Sequence, residues 1–142
     1  MKNPVRILTE QLLSQTNGIV LIDGYSGGGK TTLLNKLKKI TSRPVHLFSY
    51  ENVVDEILRA AKAKENCERY LLELCEKNCI IGIEDIDYLR GKEATQECLS
   101  LMIQKAAEKH LVILTGNDVR RQTPVFAAIC GHDTFVYTDL DK

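Results

Sequence analysis

The stretch GIVLIDGYSGGGKTTLL, residues 18–34, decides how the rest of the chain is read. It begins as a short, β-rich apolar run. Four glycines within six residues follow (Gly24, Gly27, Gly28 and Gly29), then Lys30, Thr31, Thr32 and two leucines. Glycine loses more backbone freedom on folding than any other residue, so such a cluster needs a local cause. Either it is a loose surface loop, or the main chain must wrap closely around something. Residues 24–31 fit the spacing GxxxxGK[ST], placed between an expected strand and an expected helix. Bare glycines let successive N–H groups turn inward around a phosphate, with the positive end of the following helix behind them. The expected nucleotide-contacting residues are therefore Gly24, Tyr25, Ser26, Gly27, Gly28, Gly29, Lys30 and Thr31. Lys30 suits the β- and γ-phosphates as a point charge, and the Thr31 hydroxyl suits magnesium. Thr32 faces the same end without a separate role of its own.

Outward from this loop, strands and helices alternate. Residues 5–13 have the spacing of an amphipathic N-terminal helix, and 29–40 put Leu33, Leu34 and Leu37 on one face against Lys36, Lys38 and Lys39 on the other. PVHLFSY (44–50), NCIIGIED (78–85), HLVILTGND (110–118) and DTFVYTD (133–139) read as further strands. Residues 51–63, 67–76 and 95–109 read as helices, and TPVFAAIC (123–130) as a short one with Pro124 in its first turn. The strands are continuous apolar runs, the pattern of a parallel sheet covered on both faces. The expected fold is thus α/β, with three layers and a five-stranded, mainly parallel sheet. The whole chain, 1–142, reads as one domain: an N-terminal helix over 1–16 and a core over 17–139.

In such sheets ligands bind beyond the carboxyl ends of the strands. Three polar clusters converge there: residues 24–31, 84–87 and 115–118. Glu84 and Asp85 end an acidic strand, where one carboxylate can hold the magnesium shell and its neighbour can polarise an attacking water. Asp87 reads as a turn or helix-capping residue. Asn117 could place the water and report on the γ-phosphate, although Gly-Asn-Asp is also ordinary loop chemistry.

Composition excludes several classes. Nineteen basic residues balance nineteen acidic ones, so the chain lacks the electrostatic footprint of an autonomous nucleic-acid binder. The five cysteines contain no CxxC pair and read as reduced, packed thiols. The three histidines show no metal spacing, and Arg120–Arg121 reads as a solvated pair. No run is long enough to span a membrane, and a cytoplasmic location is expected.

The runs GIVLIDGYSGGGKTTLLNKL, PVHLFSYENVVDEIL, IEDIDYLRGKEATQE and LVILTGND, in this order, resemble the ATPase core of DnaA, the replication initiator of the AAA+ class. The likeness spans about 17–118 and continues weakly to VYTDL. The phosphate loop is generic, whereas Asp85-Ile86-x-x-Leu89-x-Gly91-Lys92 is much more specific. The resemblance implies a P-loop NTPase that binds ATP or ADP with magnesium through residues Gly24 to Thr32. It implies Thr31 and Glu84 toward the metal, and Asp85, Glu84 and Asn117 as the hydrolytic group. Glu84 falls where the family has aspartate, and Asp85 where it has its second acidic residue. The family's helical lid, helix-turn-helix domain and neighbour-reaching arginine have no counterpart in this sequence. The expectation is a DnaA-like nucleotide switch with weak ATPase activity, docking a replication protein or a second copy of itself. A non-hydrolysing binding module is the alternative. A small-molecule kinase shares the loop but needs more chain after Asn117 than is present.

Overall fold

The computed structural model describes residues 4–24, 30–130 and 134–136, with side chains described over 9–23 and 33–130. Five strands, β1 (Gly18–Gly24), β2 (Val45–Ser49), β3 (Ile80–Glu84), β4 (Leu111–Asn117) and β5 (Thr134–Val136), form one sheet in the order β2-β3-β4-β1-β5. Every described pairing is parallel. Four strands make the body, and β5 adds a three-residue edge beside β1.

The continuous apolar runs follow from burial on both faces. Side chains alternate across a strand. Val20 and Ile22 of β1, Ile80 of β3, and Leu111 and Ile113 of β4 therefore join one core. That core is closed by Leu12 of α1 (Pro4–Ser14) and by Leu33, Leu34 and Leu37 of α2 (Lys30–Ile40). Leu21, Ile81, Ile83, Val112 and Leu114 point the other way. They pack under α3 (Tyr50–Ala63), α4 (Glu93–Ala106) and α6 (Pro124–Cys130). The three layers expected from the sequence are present.

Local chemistry sets the element ends. Ser49 accepts the Asn52 N–H while the Asn52 side chain accepts the Ser49 N–H, a reciprocal cap that starts α3. Lys64, left-handed at φ 56°, ends it.

One expected helix is corrected. Residues 67–76 form turns and a single 3-10 turn, Leu72–Leu74. The Asn66 side chain captures the Glu68 N–H at 2.8 Å, and Cys75 is fully extended at φ −137°. A local side-chain bond thus competes with the helical ladder. The helix expected over 95–109 runs from Glu93 to Ala106. A four-residue helix not foreseen, α5 (Val119–Gln122), follows β4.

Candidate functional site

The parallel register carries the ends of β1 and β4 to the same level, with Gly24 beside Asn117. Residues 25–29 lie outside the described residues, as do the side chains of Gly24, Lys30, Thr31 and Thr32. Gly24 closes β1, and Lys30 opens α2 with Thr31 and Thr32 in its first turn. The described chain therefore reaches the carboxyl edge of the sheet at Gly24 and resumes as a helix at Lys30.

Glu84 is the last residue of β3, opposite Ser49, and is half-buried. Asp85 follows in the left-handed region, φ 63° and ψ 37°. Asp118 after β4 does the same at φ 55°. Aspartate tolerates this region better than most residues because its short side chain can bond locally. Both strands thus turn sharply just past the edge. Next to Asp85, Tyr88 stacks on Tyr50, with ring centroids 5.2 Å apart and planes 13° from parallel. The Tyr50 phenol is pushed above its ordinary range, first by burial and then by the Glu51 carboxylate, with Tyr88 and Asp85 adding to it.

Two aspartates outside the expected catalytic group hold this edge together. Asp87 is a buried strut, not a cap. Its Oδ1 accepts the backbone N–H of Asn117 at 3.1 Å, which ties the turn after β3 to the end of β4. Gly116 makes room for it: a Cβ there would stand 2.9 Å from Asp87 Oδ1 and 2.6 Å from Val119 Cγ2. Asp23, the penultimate residue of β1, is also buried. Its Oδ1 accepts the Val119 N–H at 2.8 Å and its Oδ2 the Arg120 N–H at 3.3 Å, which starts α5. The only sequence signal for either residue is a carboxylate at or just past the end of an apolar run. Arg120 and Arg121 are both exposed, as expected of a solvated pair, and Arg121 pairs with Asp118 at 2.6 Å on the surface.

The opposite end of the sheet holds a cluster that the sequence spacing did not suggest. His46, Cys75 and Cys79, expected as unrelated packed or solvated residues, bring their ligand atoms within 4.8 Å of one another. All five cysteines are free thiols.

A three-layer parallel sheet with a glycine-rich loop between β1 and α2 defines a P-loop NTPase fold of AAA+ type. The family model for the ATPase family associated with various cellular activities (AAA) matches residues 20–132, and the chain belongs to that family. Domain III of the replication initiation protein DnaA from Thermotoga maritima superposes with a TM-score of 0.71 at 16% identity, over 96% of this chain and 62% of that one. AMPPCP-bound DnaA from Aquifex aeolicus gives 0.67 at 21%, over 94% and 43%. The Aeropyrum pernix ORC1 protein, solved in complex with DNA, gives 0.65 at 20%, over 94% and 44%. In sequence, the chain is 24% identical over 139 residues to a Treponema denticola protein provisionally named an ABC transporter ATP-binding protein. It spans 28% of that protein's length. Among the described residues, no helix is long and apolar enough to cross a membrane.

Proposed function

We propose that the chain binds ATP with magnesium at the carboxyl edge of the sheet and hydrolyses it slowly, as a nucleotide switch. The observation that carries this reading is the placement of the GxxxxGK[ST] stretch. Its described ends, Gly24 at the close of β1 and Lys30 at the start of α2, flank the edge where Glu84 ends β3, Asp85 follows it and Asn117 ends β4. Gly24 to Thr32 would bind the nucleotide, with Lys30 against the phosphates. Thr31 and Glu84 offer hard oxygen donors of the kind magnesium takes beside phosphate oxygens and water. Magnesium when bound supplies neutralisation of the developing phosphate charge. Asp85 would orient and polarise the attacking water, and Asn117 would position it. Nucleotide analogue binding by DnaA of Aquifex aeolicus supports the ligand assignment.

The switch would act in DNA replication, docking a replication protein or a second copy of the chain. The DnaA and ORC1 likenesses support this direction, and the balanced charge argues against direct DNA binding by residues 1–142 alone. Calorimetry with ATP and magnesium on the wild type and Lys30→Ala tests the site: saturable binding lost in the variant is expected, and equal binding by both refutes it.

A binding module without turnover is the second reading. It is favoured by the Glu84-Asp85 order, which puts the shorter carboxylate at the hydrolytic position. Saturable binding with no turnover would select it. A measurable rate abolished in Asp85→Asn would select the enzyme.

A further inference from the structure

We propose that His46, Cys75 and Cys79 form a binding site for a thiophilic divalent cation of the zinc class, at the end of the sheet opposite the nucleotide edge. His46 is the second residue of β2 and pairs with Ile81 of β3. Cys79 lies two residues before Ile81, so imidazole and thiol project from the same sheet face. The chain before Cys79 then crosses this face in its extended and 3-10 conformation. It presents Cys75 to both, with Cys75 Sγ 2.8 Å from His46 Nε2. The departure from the expected helix over 67–76 is what makes the cluster.

The donor set suits the ion. Two thiols and an imidazole match zinc and reject magnesium or calcium, and Cys-x3-Cys falls within the spacing of known zinc ligands. Tetrahedral zinc asks for ligand atoms about 3.5–3.8 Å apart, a rearrangement that side-chain rotation from the present contacts can supply. A cavity of about 260 Å³ opens beside Cys75 and Glu76. The frame is held independently of the ion. Buried His110 accepts the Cys79 N–H on Nδ1 at 3.2 Å, so its Nε2 donates to the Leu72 carbonyl at 2.8 Å. One imidazole thus fixes the stretch on both sides of Cys75.

Two cations lie near. The Arg43 guanidinium is engaged by the Gln15 carbonyl at 2.7 Å, and the Lys109 ammonium by the Cys75 carbonyl at 3.3 Å. Both favour thiolate over thiol. Binding must displace the proton of each thiol, because the thiolate is the metal ligand. The balance is the same for two thiols with a neutral imidazole as for a thiolate–imidazolium pair with one thiol. Binding yields two thiolates and a neutral imidazole, and two protons leave to solvent.

The test is a titration of the whole, metal-free chain with cobalt(II), under a non-thiol reductant and without nucleotide. Expected are one cobalt per chain, thiolate-to-cobalt charge-transfer bands, intense tetrahedral visible bands, displacement by zinc, and proton release to a pH indicator. Outer partners of a metal site alone are worth 10–100-fold in affinity, so Cys75→Ser and His46→Gln should each weaken binding by at least about 100-fold. Cys67→Ser should bind as the wild type. Absence of thiolate bands in the wild type overturns the site, even if a thiol variant fails to fold. So does wild-type affinity in both folded variants, or loss of the bands in folded Cys67→Ser.

Discussion

Replacing Asp23 should loosen the carboxyl edge in a way that two independent measurements can read. This carboxylate is 8% exposed and accepts two backbone N–H bonds, at 2.8 Å from Val119 and 3.3 Å from Arg120. A hydrogen bond to a charged acceptor contributes about 1.5–3 kcal/mol, and a long one falls well below that range. Asp23→Ala removes both and leaves the start of α5 without its acceptor, so the expected loss is about 2–3 kcal/mol. Asp23→Asn keeps one acceptor oxygen but turns an amide N–H toward a backbone donor, at a cost of about 1 kcal/mol. For a chain of this size each kcal/mol lowers the melting temperature by about 3 °C, so the shifts should be about 6–9 °C and about 3 °C. Urea unfolding gives the free energies. Amide hydrogen exchange gives the location, with protection lost first at Val119 and Arg120. An Asp23→Ala protein within about 0.5 kcal/mol of the wild type would refute the reasoning, because surface substitutions alone stay inside that range.

Gly116→Ala forces a Cβ to within 2.9 Å of Asp87 Oδ1 and 2.6 Å of Val119 Cγ2. It should cost about 1–3 kcal/mol by overpacking, and it should lower ATP turnover more than ATP affinity, read by urea melts and steady-state assay. The Cys98 thiol is pushed up to about 11 by burial and by Cys67. At pH 8 its thiolate fraction should be about 200-fold below that of the unfolded chain, and because a more basic thiolate is also more nucleophilic, native iodoacetamide labelling, read by peptide mapping, should be at least about 10-fold slower. The double exchange Glu84→Asp with Asp85→Glu restores the order usual in the family. It should raise turnover while leaving nucleotide affinity unchanged, and an unaltered or lower rate in a folded variant would remove the carboxylate order as the limit on hydrolysis.

The elements that could be read from the sequence are those whose cause is local or statistical. The runs 19–22, 80–83 and 111–114 are apolar at successive positions because both faces of the sheet are covered, a pattern that a strand with one face in water does not need. The helix misread over 67–76 has a cause of the same kind working against it. Leu71 is buried and Cys67 and Leu74 pack on the core, which mimics helical spacing. Yet Asn66 takes the Glu68 N–H, and His110 holds Leu72 from a position thirty-eight residues away. Pattern cannot register that second contact.

The candidate site divides along the same line. The glycine-rich loop announces its chemistry because several adjacent backbone groups must do one job. Asp23 and Asp87 do not, because their partners are backbone N–H groups ninety-six and thirty residues away. A carboxylate bonded to backbone carries no complementary residue type for the eye to find. His46 and Cys75, twenty-nine residues apart, meet only because the connecting stretch abandons helix. The carboxyl edge is therefore specified twice: a contiguous motif supplies the groups proposed to meet phosphate, and dispersed aspartates lock the strand ends from which those groups project. Damage to the first should abolish binding outright. Damage to the second should leave binding in place and spoil the alignment of Asn117, so turnover and edge stability should fall together in Asp23 and Gly116 variants while nucleotide affinity holds.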